Sequence, residues 1–505
     1  MSRLALIVTA GLLAVALLAG CSSPSHNASP AGFVPTDTQG IGSATSWQPT
    51  LLGGLGDPAT SGLDAWPKQF DAAPKAYDID GDGVDELIAM ASDTKVYVFR
   101  ALTGEVLARL PTTYPPGWYI ERVLNSVEAG VLRPGEAPSL VVSDHAGYVA
   151  VWRFDPAGST QDSFKFDRQF DVHLDECHDS PGMDAKPAIG DLDGDGTLEI
   201  VLQTEETGFY ALRADGSTLW RQCWGGGNSA PVIADVDGDG KPEVVIASDG
   251  GFVSVLTGAT GNAQWTFDAT KLGITPASIT VSPTVADLDG VGGKEILFTT
   301  RNAPDGDFAS FASDHMAIMA VHQDPLTRLG TLVWLVQPEW ANPLSATQLV
   351  VHDVDGDGRA DIFGMDWNTI GHFPGDWERL GPAHLFRLDS DGRQVWMREM
   401  DSWWSNQDIA LADLDGDGSL SVLANGPAGV HDGIWRMSAS TGAAEGFLAL
   451  DGWKGARGPQ LFDLRHDGQM ELVFPVAADD GGPQRGAILV FDLGTAFDAP
   501  WRGSS

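Results

Sequence analysis

Apolar residues in this chain come in short runs, and the runs come in groups of four. In the clearest group, Ala230 to Ala234 is an apolar stretch entering an acidic loop, and Val244 to Ala247 leaves it as a run rich in β-branched residues. Gly250-Gly251 turns the chain into a third run, Phe252 to Leu256, and Thr257-Gly258 to Gly261 leads to a fourth, Ala263 to Phe267. Runs this short, bounded by Gly turns, predict strands of an antiparallel sheet and not a βαβ unit. No stretch sustains the period of an amphipathic helix, so helices should be minor. One four-stranded sheet cannot bury both its faces alone; packing successive sheets around an axis covers them.

The group repeats. Its acidic loop opens at Asp78, Asp191, Asp235, Asp287, Asp353, Asp413 and Asp463. A degenerate copy begins near Val127 (VEAGVLRPGEAPSLVVSDHAGYVAVWRF), where the strand pattern persists after the acids have gone. With that copy included, units recur every 44 to 66 residues, the period of propeller blades. The fold expected is all-β, a propeller of four-stranded antiparallel blades, eight of them, with seven as the alternative.

Composition sharpens this picture. Acidic residues outnumber basic ones 69 to 30, a net charge of −39, which repels phosphate backbones and argues against a nucleic-acid partner. Such acidity serves either solubility or divalent-cation binding, and the loops decide between them. In Asp191-Leu-Asp193-Gly-Asp195-Gly-Thr197-Leu-Glu199, acids stand at positions 1, 3, 5 and 9, with Gly at 4 and 6. Alternation aims carboxylates at one point, and the glycines permit the tight wrap around it. Calcium takes six to eight hard oxygens, which these carboxylates, a position-7 carbonyl and water would supply; magnesium demands stricter geometry. An EF-hand opens in the same way but needs Glu at position 12 and flanking helices. Position 12 here is Ala89, Leu202, Ile246, Gly364 or Ala424, inside strand patterns.

The N-terminus reads as a leader. Arg3 precedes an apolar run from Leu4 to Leu18, too short for a mature membrane span, and the run ends in Leu18-Ala19-Gly20-Cys21. That order resembles a bacterial lipobox, which implies a signal peptide over 1–20 and a diacylglyceryl group on Cys21; an ordinary signal peptide is the alternative. A lipidated linker over 21–72, the propeller over 73–500 and a tail over 501–505 would follow. The mature chain is then extracytoplasmic and touches a membrane only through its anchor. Cys177 and Cys223 remain, at near-equivalent places ahead of the Asp191 and Asp235 loops. A disulfide between them suits an exported protein, two separate thiols being the alternative.

The units resemble the FG-GAP and VCBS repeats of integrin α-subunit propellers and bacterial surface proteins. The resemblance implies that each loop joins the first two strands of a blade and binds calcium through positions 1, 3, 5, 7 and 9. Carried over, the ligands would be Asp78, Asp80, Asp82, Val84 and Glu86; Asp191, Asp193, Asp195, Thr197 and Glu199; Asp235, Asp237, Asp239, Lys241 and Glu243; and Asp353, Asp355, Asp357, Arg359 and Asp361. Three copies depart. The loop of Asp287, Asp289 and Glu295 has Val291 at position 5; that of Asp413, Asp415, Asp417 and Ser419 ends on Ser421; that of Asp463 carries Arg465 at position 3, where a cation repels calcium.

Ligands of propellers usually meet the face opposite such loops. The connections on that face hold Trp118-Tyr119, His173 to Asp179, Trp224 with Asn228, Trp340 with Asn342, Trp367-Asn368, and Trp403-Trp404 with Asn406. Exposed Trp beside Asn and Asp suits stacking on sugars or a protein hot spot. Trp220, Trp265 and Trp396, at strand ends, should instead pack between blades. No Gly-x-Ser-x-Gly elbow, phosphate loop or zinc-protease helix is present. His173 and His178, beside Asp175, Glu176 and Asp179, match no trusted metal template. The expected role is a surface binding or adhesion module for a glycan or protein, with a lyase-like polysaccharide enzyme as the alternative.

Overall fold

Each group of four runs forms one antiparallel sheet in sequence order. In the computed structural model, which describes residues 50–55 and most of 73–496 apart from connecting stretches, there are eight such blades. The first strand of each is short, as in Lys75–Tyr77 of blade 1, Ala188–Gly190 of blade 3 and Val232–Ala234 of blade 4. The second and third strands, such as Glu243–Ser248 and Phe252–Thr257, are buried between neighbouring sheets. The degenerate copy is blade 2, with strands Val127–Gly130, Ser139–Ser143, Tyr148–Phe154 and Phe166–His173. Among the described residues the one helical segment is the 3₁₀ turn Ala269–Leu272.

The core is divided among the interfaces between blades. One cluster, with Val245, Val255, Ile296 and Met319, joins blades 4 and 5; another, with Leu87, Phe99, Val473 and Val490, joins blade 1 to blade 8. Eight clusters, one at each junction, close the ring, which settles the blade number. Blade 8 takes its fourth strand from the other end of the chain. Thr50–Leu55, within the stretch read as lead-in, runs antiparallel to Gly486–Ala496, with Thr50 opposite Asp492 and Leu55 opposite Ile488.

A repeated aromatic stitch ties blades 2 to 7, each to the next. The Trp220 ring of blade 3 lies against Gly261, in the turn between the third and fourth strands of blade 4. Its Nε1 donates to the Gly258 carbonyl. Trp265 packs the same way on Gly330, Trp334 on Gly392 and Trp396 on Gly442, with Trp334 Nε1 donating to Ser390 O at 2.8 Å and Trp396 Nε1 to Ala439 O at 2.9 Å. Phe170 takes the ring's place between blades 2 and 3, against Gly216. A side chain on any of these glycines would overlap the ring, so the turn residue and the aromatic are coupled. The expectation that Trp220, Trp265 and Trp396 pack between blades holds.

Candidate metal centres and the opposite face

Antiparallel order fixes what each face of the disc carries. First strands run toward the acidic loops, second strands away, third strands back and fourth strands away again. Every acidic loop and every turn between third and fourth strands therefore shares one face, and the connections between blades lie on the other.

The acidic loop is shaped by its own backbone. In blade 3, Asp191 Oδ1 accepts the N–H groups of Gly194 at 2.8 Å and Asp195 at 3.1 Å, while its Oδ2 accepts Gly196 N–H at 3.0 Å. Gly194 and Gly196 take φ of 79° and 87°, the left-handed region in which a side chain would be strained. Asp195 Oδ1 accepts the Thr197 N–H at 2.7 Å, so position 5 fixes the turn at position 7. Position 7 donates likewise in the loops of blades 1, 4, 6 and 7, from Val84, Lys241, Arg359 and Ser419 to Asp82, Asp239, Asp357 and Asp417. Glu199, which opens the second strand, folds back until its Oε2 accepts the Leu192 N–H at 2.9 Å. Glu86, Glu243, Glu295 and Glu471 make the same bond to Ile79, Val236, Leu288 and Leu464.

These position-9 acids are buried beside other carboxylates, and both effects disfavour charge. Burial first, then Asp80, Asp82 and Asp78, push Glu86 up to about 8 against the Ile79 hydrogen bond. Glu199, Glu243 and Glu295 are raised for the same leading reason. A bound cation would reverse that preference.

Five sets of predicted ligands come together, each with oxygens within 4.8 Å of one another: Asp78, Asp80 and Glu86; Asp191, Asp193 and Glu199; Asp235, Asp237 and Asp239; Asp287, Asp289 and Glu295; Asp353, Asp355 and Asp357. Oxygens around a single ion at about 2.3–2.6 Å are at most about 5 Å apart, so the spacing fits a shared ion. The donors are all oxygen, which suits a hard divalent cation and not zinc or copper. These clusters can hold metal ions.

Three neighbouring blades hold arginines in their loops. In blade 6, Arg387 Nε donates to Asp361 Oδ1 at 2.8 Å and Nη2 to Asp355 Oδ2 at 2.7 Å. In blade 7, Arg436 forks onto both oxygens of Asp415 and reaches Ser421 and Glu445. In blade 8, Arg465 pairs with Glu471 at 2.6 Å and Asp492 at 3.2 Å. Only Arg465 lies within its own loop sequence. Arg387 and Arg436 come from third strands 26 and 21 residues beyond the acids they meet, so no local motif discloses them.

On the opposite face, Cys177 and Cys223 form a disulfide with Cα atoms 5.2 Å apart, tying the connection ahead of blade 3 to the one behind it. Cys177 N–H donates to the Tyr210 hydroxyl at 3.0 Å, and Glu176 pairs with Arg221. Trp224, next to the bridge, is 37% exposed and stands edge-on to Phe209 at 5.3 Å. Trp340 is partly buried, with Nε1 donating to Gln394 Oε1 at 2.5 Å and its ring on His384 and Phe386. Asn342 is buried, its N–H on Asp366. His173 stacks on Tyr148 at 4.4 Å. Cys21, Trp118, Tyr119, Asp175, His178, Asp179, Asn368, Trp403, Trp404, Asn406 and residues 501–505 lie outside the described residues.

Residues 235–298, blade 4 and the start of blade 5, match the FG-GAP-like repeat family model. The four-stranded unit recurs eight times around the ring, and the chain is an eight-bladed β-propeller with an FG-GAP-like repeat at residues 235–298. In shape it is similar to Sqt1 of Saccharomyces cerevisiae, with a TM-score of 0.53 and 11% identity over 88% of this chain and 99% of that one. It is also similar to BamB of Moraxella catarrhalis, with a TM-score of 0.49 and 12% identity over 88% of this chain and 100% of that one. The V. cholerae biofilm matrix protein Bap1 gives 0.37 at 14% identity, over 86% of this chain and 78% of that one. No curated protein matches the sequence. Identities this low carry over the fold alone.

Proposed function

We propose that this protein is an exported, lipid-anchored propeller, stabilised by calcium on one face, that binds a glycan or a protein through the other. The fold is compatible with a binding or adhesion module, and the observation that carries the reading is Trp224. Among the tryptophans whose burial is described it alone stands exposed, four residues before Asn228 and on a connection held by the Cys177–Cys223 bridge. A large aromatic surface on a braced loop costs little ordering entropy when a ligand stacks on it. The disulfide supports an oxidising compartment, and no described helix is long and apolar enough to cross a membrane. The anchor rests on the lipobox order ending at Cys21.

A glycan and protein array probed with the purified propeller in calcium tests the reading. Retention of an unmodified ligand, weakened by Trp224→Ala with an unchanged melting temperature, is expected. Release of ultraviolet-absorbing unsaturated products from an acidic polysaccharide would overturn it in favour of a lyase.

A further inference from the structure

We infer that the ring is divided, with divalent cations in the loops of blades 1, 3, 4 and 5 and a built-in guanidinium in their place in blades 6 and 7. The consequence is sharpest in blade 6, whose loop is complete in acids and would nevertheless hold no metal. The inference rests on the calcium reading of the loops and refines which of them it covers.

One station of the third strand carries the argument. The residue opposite the second position after loop position 9 is Val98 in blade 1, Val151 in blade 2, Ala211 in blade 3, Val255 in blade 4, Ala320 in blade 5 and Val490 in blade 8. At the same station blade 6 has Arg387, opposite Phe363, and blade 7 has Arg436, opposite Leu423. These two are 3% and 6% exposed, so neither guanidinium has bulk water to fall back on. A charge so buried must be met by fixed counter-charges.

Arg387 finds them in the loop itself, at Asp355 and Asp361, positions 3 and 9 of the set expected to bind metal. A divalent ion there would compete with the guanidinium for both carboxylates and face its charge across a few ångströms. Blade 7 has gone further. Its position 9 is Ser421, whose hydroxyl donates to Glu445 and accepts from Arg436 Nε at 3.0 Å. The carboxylate a metal would need is replaced by a group that suits the arginine. Among the described residues of blades 1, 3 and 4 no guanidinium hydrogen-bonds to the clustered acids: Arg100 reaches Asp80 only through its charge, and the exposed Lys241 lies 3.6 Å from Asp239. In blade 5 His322 Nδ1 lies 3.9 Å from Glu295.

Calcium bound per chain, measured after equilibrium dialysis against micromolar calcium chloride, tests this on the full chain. Arg387→Leu should gain one calcium over the parent protein, because the blade 6 acids lose their internal cation. Asp353→Asn in the parent should leave the bound calcium unchanged, whereas Asp191→Asn should remove one. An unchanged stoichiometry in folded Arg387→Leu, or the loss of one calcium in Asp353→Asn, would overturn the division. If the parent binds no calcium at all, the calcium reading of the loops falls, while gain or no gain in Arg387→Leu still judges the guanidinium. Should Arg387→Leu fail to fold, the paired Asp353→Asn and Asp191→Asn counts decide alone.

Discussion

Asp85 of blade 1 donates its backbone N–H to the Leu464 carbonyl of blade 8 at 2.8 Å, joining the two ends of the ring through adjacent loops. The same bond recurs within the chain, from Leu198 to Leu132, Lys294 to Val236 and Ala360 to Leu288. At the seam it is backed by His466 Nε2, 2.8 Å from Asp85 Oδ1. Blade 8 is completed there by Thr50–Leu55. Removing residues 1–55 should therefore leave the Gly486–Ala496 edge unpaired, lower the melting temperature and promote self-association. Light scattering and a thermal melt of that variant check it; an unchanged melt would show that the strand is dispensable.

The Cys177–Cys223 bridge closes a loop with a sequence separation of 46. Constraining the unfolded chain over that length is worth about 4 kcal/mol in the loop-entropy treatment. Cys223→Ser, or reductant, should lower the unfolding free energy by that order in urea titration. The connection that carries Trp224 should loosen with it.

Glu86 carries a pH signature. Burial beside Asp80, Asp82 and Asp78 lifts its value to about 8, above its ordinary 4.5. The folded loop thus keeps a proton that the unfolded chain releases, a contribution to stability complete below 4.5 and lost as pH rises through about 8. Calcium must displace that proton, so affinity at blade 1 should rise with pH up to about 8. Calorimetric titration at pH 7 in buffers of different ionisation heat should show proton release, and Glu86→Gln should reduce it.

Gly330 tests the aromatic stitch. A Cβ there would lie 2.3 Å from the Trp265 ring, with no help from a flexible neighbour. Gly330→Ala should destabilise by about 1–3 kcal/mol through overpacking, read from the urea midpoint. A neutral result would mean that the ring is free to move.

Much of this was legible in the sequence because the blade is a local unit. The loop from Asp191 to Glu199 is contiguous, and its Asp-Gly alternation specifies both the φ-positive turns and the carboxylate cluster. Blade 2 was legible from the strand pattern of Val127 to Phe154 although its acids are gone. What was hidden is non-local. Arg387 reaches Asp361 across a strand pair, and its apolar counterparts in six other blades show its meaning only once the register is known. The Thr50–Leu55 strand was hidden for the same reason, since its partner lies at the far end of the chain.

The account stands most directly on cation-dependent stability. Native loops gather carboxylates that the unfolded chain holds apart, so each occupied site stabilises the fold by about 2.7 kcal/mol when free calcium is a hundredfold above its dissociation constant. Four such sites would contribute roughly 10 kcal/mol, comparable to the whole stability of a typical domain. The melting temperature in millimolar calcium, set against that in excess chelator, is the measurement. A sharp fall on chelation, restored by calcium and poorly by magnesium, is the predicted result; equal melting temperatures in the two conditions would contradict it.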